Sequence, residues 1–113
     1  MRREEDRLQM YAAKKLHDTC KHTVWFHVPN GGKRSKATAA RLRQMGVRPG
    51  VADLILLTAT MLSLAIELKI PKGGRQSDSQ KGFQAAWEAN GGIYKIARTP
   101  EEFDFLVALY ELD

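Results

Sequence analysis

Residues 51–69, "VADLILLTATMLSLAIELK", decide the fold because they contain two apolar runs around a short connection. Apolar runs of this length are typical of buried β-strands, and a connection of a few residues joins two strands as a hairpin. Three charged residues interrupt the pattern: Asp53 at the entry of the first strand, and Glu67 and Lys69 near the end of the second. A buried strand gains nothing from such charges, so we ask whether they form a site.

The alternation of side chains along a strand places Glu67 and Lys69 on one face. If the hairpin is tight, its first strand starts beside the end of its second, and Asp53 is predicted to meet both residues there. Two carboxylates suit a hard divalent cation, and a nearby lysine can counter charge that builds on a phosphate. A plainer interpretation is a Glu67–Lys69 ion pair on an exposed strand end, with Asp53 as a turn residue, and the triplet alone does not decide between the two.

The flanking segments predict an α/β domain over residues 1–113, with a small mixed β-sheet and helices on both faces. The predicted order is α, β, short α, β, β, α, β, α, and the strand–helix–strand unit after the hairpin should be a parallel, right-handed crossover. The predicted segments are a helix over 3–18, a strand over 23–29, a helix over 35–44, the hairpin over 51–69, a helix capped by Ser77 or Ser79, a strand over 93–97 and a helix capped by Thr99.

Charge divides the chain into a basic half and an acidic half. Residues 1–50 contain twelve Lys and Arg against four acidic residues, whereas residues 51–113 contain six against nine. A basic segment of this kind suits a polyanion such as nucleic acid, because each neutralised phosphate releases counterions, but a solvated basic face gives the same pattern. Four of its residues fit a loop and helix that grip phosphates: Asn30, Lys33, Arg34 and Arg41.

The remaining composition narrows the class of protein. No apolar run reaches the roughly 20 residues of a spanning helix, and the polar N-terminus has no signal-peptide core, so we expect a cytoplasmic protein without a membrane partner. The single Cys20 has no partner for an internal disulfide and no companions at zinc-ligand spacing.

His27 and Trp25 in the first predicted strand could face nucleic acid, but we expect a core or edge position. Tyr94 and Lys95, on the fourth strand, are candidate substrate contacts that no motif supports.

Four pieces of the sequence occur in a specific order: "PNGGKR", "RLRQMGVRPGVADLILL", "IELK" and "SDSQ". This ordered set resembles the VRR-NUC domain, the virus-type replication-repair nuclease branch of the PD-(D/E)xK phosphodiesterases, over about residues 5–105. The resemblance implies a restriction-endonuclease-like αβββαβ core and a Mg²⁺- or Mn²⁺-dependent deoxyribonuclease. It further implies a homodimer that acts on Holliday junctions or other branched DNA, in the host cytoplasm if the protein is viral.

The resemblance also assigns roles to individual residues. It implies that Asp53 and Glu67 bind the metal with the backbone carbonyl of Leu68 as an additional ligand, and that Lys69 is the catalytic lysine. Gln80 would orient water or Lys69. Glu5 would reach the site from the first helix, although an acid at a helix N-terminus is also favoured by the helix dipole alone.

The chain departs from the family's pattern at Ala52, where a proline usually precedes the metal-binding aspartate. We expect a less rigid strand entry and no loss of metal binding. Two other functions stay open from the sequence: a nuclease that nicks or trims ends without selecting a DNA structure, and a non-catalytic nucleic-acid-binding module.

Overall fold

The structure, a computed structural model, describes residues 3–29 and 34–113. The order of its helices and strands is the one predicted, with boundaries that differ by a few residues. The elements are α1 (Arg3–Thr19), β1 (Val24–His27), α2 (Lys36–Gln44), β2 (Leu54–Leu57), β3 (Ser63–Leu68), α3 (Asp78–Ala89), β4 (Ile93–Ala97) and α4 (Pro100–Leu109).

The four strands form a mixed sheet in the order β1-β2-β3-β4. The pairs β1–β2 and β2–β3 are antiparallel, and β3–β4 is parallel, as the crossover through α3 requires. The hairpin between β2 and β3 closes without an Asn-Gly turn. Met61 adopts the left-handed conformation instead, with φ of 68°, and the Thr58 hydroxyl accepts a hydrogen bond from the Leu62 amide at 3.0 Å.

Helices cover both faces of the sheet, which confirms the predicted fold class. On one face α1 and α4 bury a large apolar cluster that includes Leu16, Leu56 and Phe103, each less than 2% exposed. On the other face α3 packs Phe83 against Ala65 and Tyr94. Full burial of one such large side chain stabilises the fold by about 1.5–3 kcal/mol, so these two clusters hold the sheet ends in place. Of the ranges above, no helix is long and apolar enough to cross a membrane.

The start of α3 is fixed from two sides. Ser77, one of the two predicted caps, accepts a hydrogen bond from the Gln80 amide, and the Gln80 side chain accepts one from the Ser77 amide. Gly50, with φ of 80°, packs against this first turn so closely that a Cβ atom there would lie 2.3 Å from the backbone of Ser79. The loop before β2 therefore contacts the N-terminus of α3 directly.

Candidate active site

The hairpin brings Asp53 and Glu67 together, as the sequence predicts. The β2–β3 register pairs Leu54 with Ile66, and one step further along it Asp53 stands opposite Glu67. The Leu68 amide donates a hydrogen bond of 2.8 Å to Oδ2 of Asp53. From the other side of β2, the Asp53 carbonyl accepts a hydrogen bond from the Val28 amide at 2.8 Å. Asp53 is thus held by the backbone of both neighbouring strands.

Glu67 and Lys69 are buried, with exposed fractions of 4% and 8%. The plainer interpretation places a Glu67–Lys69 ion pair on an exposed strand end, and the burial of both side chains contradicts that exposure. The Lys69 ammonium lies 3.6 Å from Oε2 of Glu67 and donates a shorter hydrogen bond of 2.8 Å to Oε1 of Gln80. Burial of a charge lowers the stability of the fold unless the charge is paired. Solubility therefore does not explain why these two charged side chains are present.

Gln80 connects three parts of the site through one amide group. Its Nε2 donates to Oε2 of Glu67 at 3.0 Å, and its Oε1 accepts from the Lys69 ammonium at 2.8 Å and from the Ser77 amide at 2.9 Å. Both partners of Oε1 are obligate donors, which fixes the orientation of the amide. The same side chain that completes the helix cap therefore positions the lysine and the glutamate.

The electrostatics of the site favour a positive charge between the carboxyl groups of Asp53 and Glu67. Burial, and then the neighbouring Asp53 carboxyl, raises the pKa of Glu67 to about 8, and burial raises the pKa of Asp53 as well. The two carboxyl groups lie close enough for the Asp53 charge to raise the pKa of Glu67, so ionisation of both places like charges side by side in a poorly solvated site. A proton relieves this repulsion, and so does a divalent cation.

The donor set fits a hard divalent cation. Oε1 of Glu67 is buried without a hydrogen-bond partner, so this oxygen is available to bind a ligand. Within residues 3–29 and 34–113 no group of three or more His, Cys, Asp or Glu side chains could hold an ion by itself. Two carboxylates, the carbonyl of Leu68 and several waters are the environment that Mg²⁺ prefers, and they do not resemble a zinc site.

The residues converge at a cavity of about 450 Å³ between the N-termini of α1 and α3. Glu5 lines it, and its charge contributes to the raised pKa of Asp53, so α1 does reach the site. Four positions later on the same helix face, Gln9 also lines the cavity, and its Oε1 is buried without a hydrogen-bond partner. Sequence reasoning missed Gln9, although its spacing of four residues from Glu5 could have indicated it.

His27 is a second residue of the cavity that the sequence did not assign to the site. It lies on the edge strand β1, as expected, but it is exposed and lines the cavity. Its Nδ1 lies 2.8 Å from the Asp53 carbonyl, which only accepts hydrogen bonds, so Nδ1 carries the proton in this contact. Its position is a consequence of β1 pairing with β2, which residue type alone does not reveal.

Two of the four predicted substrate-binding residues, Arg34 and Arg41, lie within the described residues. Asn30 and Lys33 lie outside the described residues. Arg34 and Arg41 are both exposed, but Arg34 lines a second cavity beside α2, and Arg41 is not among the residues that line it. Of the other candidates, Lys95 is exposed, whereas Tyr94 is 5% exposed and belongs to the core beneath α3.

Comparison with solved structures identifies the same fold in proteins of very different sequence. One match, described as a "VRR_NUC domain protein", has a TM-score of 0.71 and 19% identity over 94% of this chain and 86% of its own. Another, described as a "VRR_NUC domain", has a TM-score of 0.66 and 15% identity over 95% of this chain and 97% of its own. No family model and no curated protein matches the chain. The resemblance seen in the sequence is thus confirmed for the fold across nearly the whole chain.

Proposed function

We propose, from a VRR_NUC fold that carries these buried groups at one sheet end, that the protein is a Mg²⁺- or Mn²⁺-dependent deoxyribonuclease. Asp53, Glu67 and the Leu68 carbonyl hold the cation, and Lys69, Gln80 and Glu5 complete the site. The observation that carries the proposal is the unsatisfied, buried Oε1 of Glu67 beside Asp53. A buried carboxyl oxygen without a hydrogen-bond partner is destabilising, and a catalytic role explains its presence.

When bound, the cation supplies a water of lowered pKa and neutralises charge on the phosphate. Asp53 and Glu67 fix the position of the cation relative to the sheet, because both carboxylates are anchored by backbone or Gln80 contacts. Lys69 lines the same cavity, where its ammonium group would bind a phosphate oxygen and stabilise the charge that develops during attack. Gln80 keeps that ammonium from pairing closely with Glu67, since Lys69 lies nearer to the amide than to the carboxylate.

The finer proposal is that the enzyme selects branched DNA, such as a Holliday junction, as a homodimer. A chain of 113 residues grips little of a duplex by itself, and two copies would present two sites to one junction. The last helix offers apolar side chains for such an interface, with Phe105 64% and Leu109 52% exposed. The alternatives are a nuclease that nicks or trims without structure preference, and a non-catalytic DNA-binding module.

Cleavage of a substrate panel separates these functions. The panel contains a four-way junction, a flap, a linear duplex and a single strand, each incubated with Mg²⁺, Mn²⁺ or EDTA. We expect cleavage only with metal, fastest on the junction, and none by Lys69→Ala, whereas Lys21→Ala, which changes an exposed lysine on the turn before β1, keeps full activity. Equal rates on all substrates support the nuclease without structure preference, and absence of any metal-dependent cleavage refutes the enzyme.

A further inference from the structure

A second cavity, of about 210 Å³, lies beside α2 and is lined in part by three arginine residues. They belong to Arg34, Arg43 and Arg48, and the other lining residues are apolar or glycine. No acidic residue occurs anywhere in the sequence between Asp18 and Asp53. Three cationic side chains around a cavity with no acidic residue among its described lining residues repel each other, so an anion bound there would stabilise the arrangement.

Helix α2 has no buried residue, which is unusual for an element of a small domain. Helices in proteins owe most of their stability to an apolar face packed on the core, and nine residues are too few to form a stable helix alone. Its first turn carries no acid that would satisfy the positive end of the helix dipole, and its last turn carries Arg41 and Arg43. Helix α2 therefore contributes positive charge to the protein surface and no buried side chain to the core.

The cavity is physically connected to the candidate active site. The guanidinium carbon of Arg48 lies 5.7 Å from the ring centre of Phe83, which holds this side chain against α3. Gly50, at the rim of the cavity, packs against the backbone of Ser79 and Gln80. Three residues after Gly50 the chain reaches Asp53. A ligand in the cavity is thus positioned relative to both Gln80 and the carboxylates.

We infer that this cavity is a binding site for a backbone phosphate of DNA, held by Arg43 and Arg48 with Arg34, at a distance from the phosphodiester that is cleaved. The inference deepens the proposed function and rests on it. Planar guanidinium groups match phosphate oxygens with paired hydrogen bonds, which lysines do not. Because such contacts position a duplex without reading bases, the site sets which bond reaches Lys69 and confers no sequence preference.

The test measures binding without cleavage, in EDTA, with a fluorescent 20-base-pair duplex and NaCl from 50 to 200 mM. The doubly substituted Arg43→Ala, Arg48→Ala protein is compared with wild type and with Lys21→Ala, the exposed control at the other end of the sheet. We expect the double variant to bind at least about tenfold more weakly at 50 mM NaCl. We also expect the slope of log K against log salt to fall in magnitude by about 1, the value for one lost phosphate contact. Arg43→Lys with Arg48→Lys should keep the slope and lose part of the affinity.

The outcomes distinguish this inference from the proposed function. If the double variant binds DNA as tightly as wild type and the Lys21→Ala control at every salt concentration, and wild type cleaves DNA, the phosphate site is refuted and the nuclease stands. If wild type binds with the expected slope, loses it in the double variant and never cleaves with Mn²⁺, the phosphate site stands and the nuclease is refuted. A melting temperature within a few degrees of wild type, expected because both arginines are exposed although the Arg48–Phe83 contact is lost, shows that the double variant is folded.

Discussion

The pKa of Glu67 gives a prediction whose size follows from the structure. In the unfolded chain this carboxyl titrates near 4.5, and in the folded chain near 8. Between these values the folded state retains a proton that the unfolded state has lost, so raising the pH destabilises the fold, and the loss is complete above pH 8. At 1.36 kcal/mol per pH unit the full cost is on the order of 5 kcal/mol, a large share of the 5–15 kcal/mol that stabilises a typical domain.

Glu67→Gln removes this ionisation and keeps nearly the same shape. In EDTA, we expect the free energy of unfolding of wild type to fall by about 2.5 kcal/mol between pH 6 and 8.5, and that of Glu67→Gln to fall much less. Every other ionisable side chain is common to both proteins, so the difference reports Glu67 together with its interaction with Asp53. At pH 8, Mn²⁺ at 100 times its dissociation constant should stabilise wild type by about 2.7 kcal/mol and the variant hardly at all. Urea unfolding measures both effects, and parallel pH curves with equal metal stabilisation would refute the reasoning.

Three further predictions follow from contacts around the site. Lys69→Ala should abolish cleavage and leave Mn²⁺ binding by calorimetry within a few fold, because lysine is not a ligand; loss of both would place it in the metal site. Gln80→Ala should lower kcat and cost about 1 kcal/mol of stability in urea unfolding, whereas Ser77→Ala should cost similar stability and keep kcat; equal kcat in both variants would remove Gln80 from the site. Gly50→Ala should destabilise by several kcal/mol more than Gly46→Ala, because only the first Cβ meets backbone; equal melting temperatures would contradict that close approach.

Periodicity and capping signals were sufficient to predict the fold. The helical spacing of Leu8, Tyr11, Ala12 and Leu16 predicts the buried face of α1 except at Tyr11, which is exposed and donates its hydroxyl hydrogen to Asp104. Thr99 followed by proline marks the start of α4. The ambiguity between Ser77 and Ser79 could not be resolved from sequence, because both precede the helix. Ser77 is the cap because Gln80 stands three residues after it and completes the capping box.

The candidate site was predictable only where one strand or one hairpin determines it. Alternation along β3 and the register of the hairpin place Glu67 beside Asp53, and both follow from local rules. The burial of Lys69 was not predictable, because it depends on α3 covering the strand end after a crossover. The same holds for His27 and Arg48, whose positions depend on the β1–β2 pairing and on Phe83.

The position of Mn²⁺ in a crystal of the protein tests the central claim most directly. Anomalous scattering from crystals grown with Mn²⁺ locates the ion without assumptions about its ligands. We predict a peak about 2.0–2.3 Å from Oε1 of Glu67 and from a carboxylate oxygen of Asp53, with the Leu68 carbonyl within reach and the remaining ligands waters. A cavity without a peak at saturating Mn²⁺, or an ion bound elsewhere with Glu67 unliganded, would contradict the assignment of these carboxylates as the metal site.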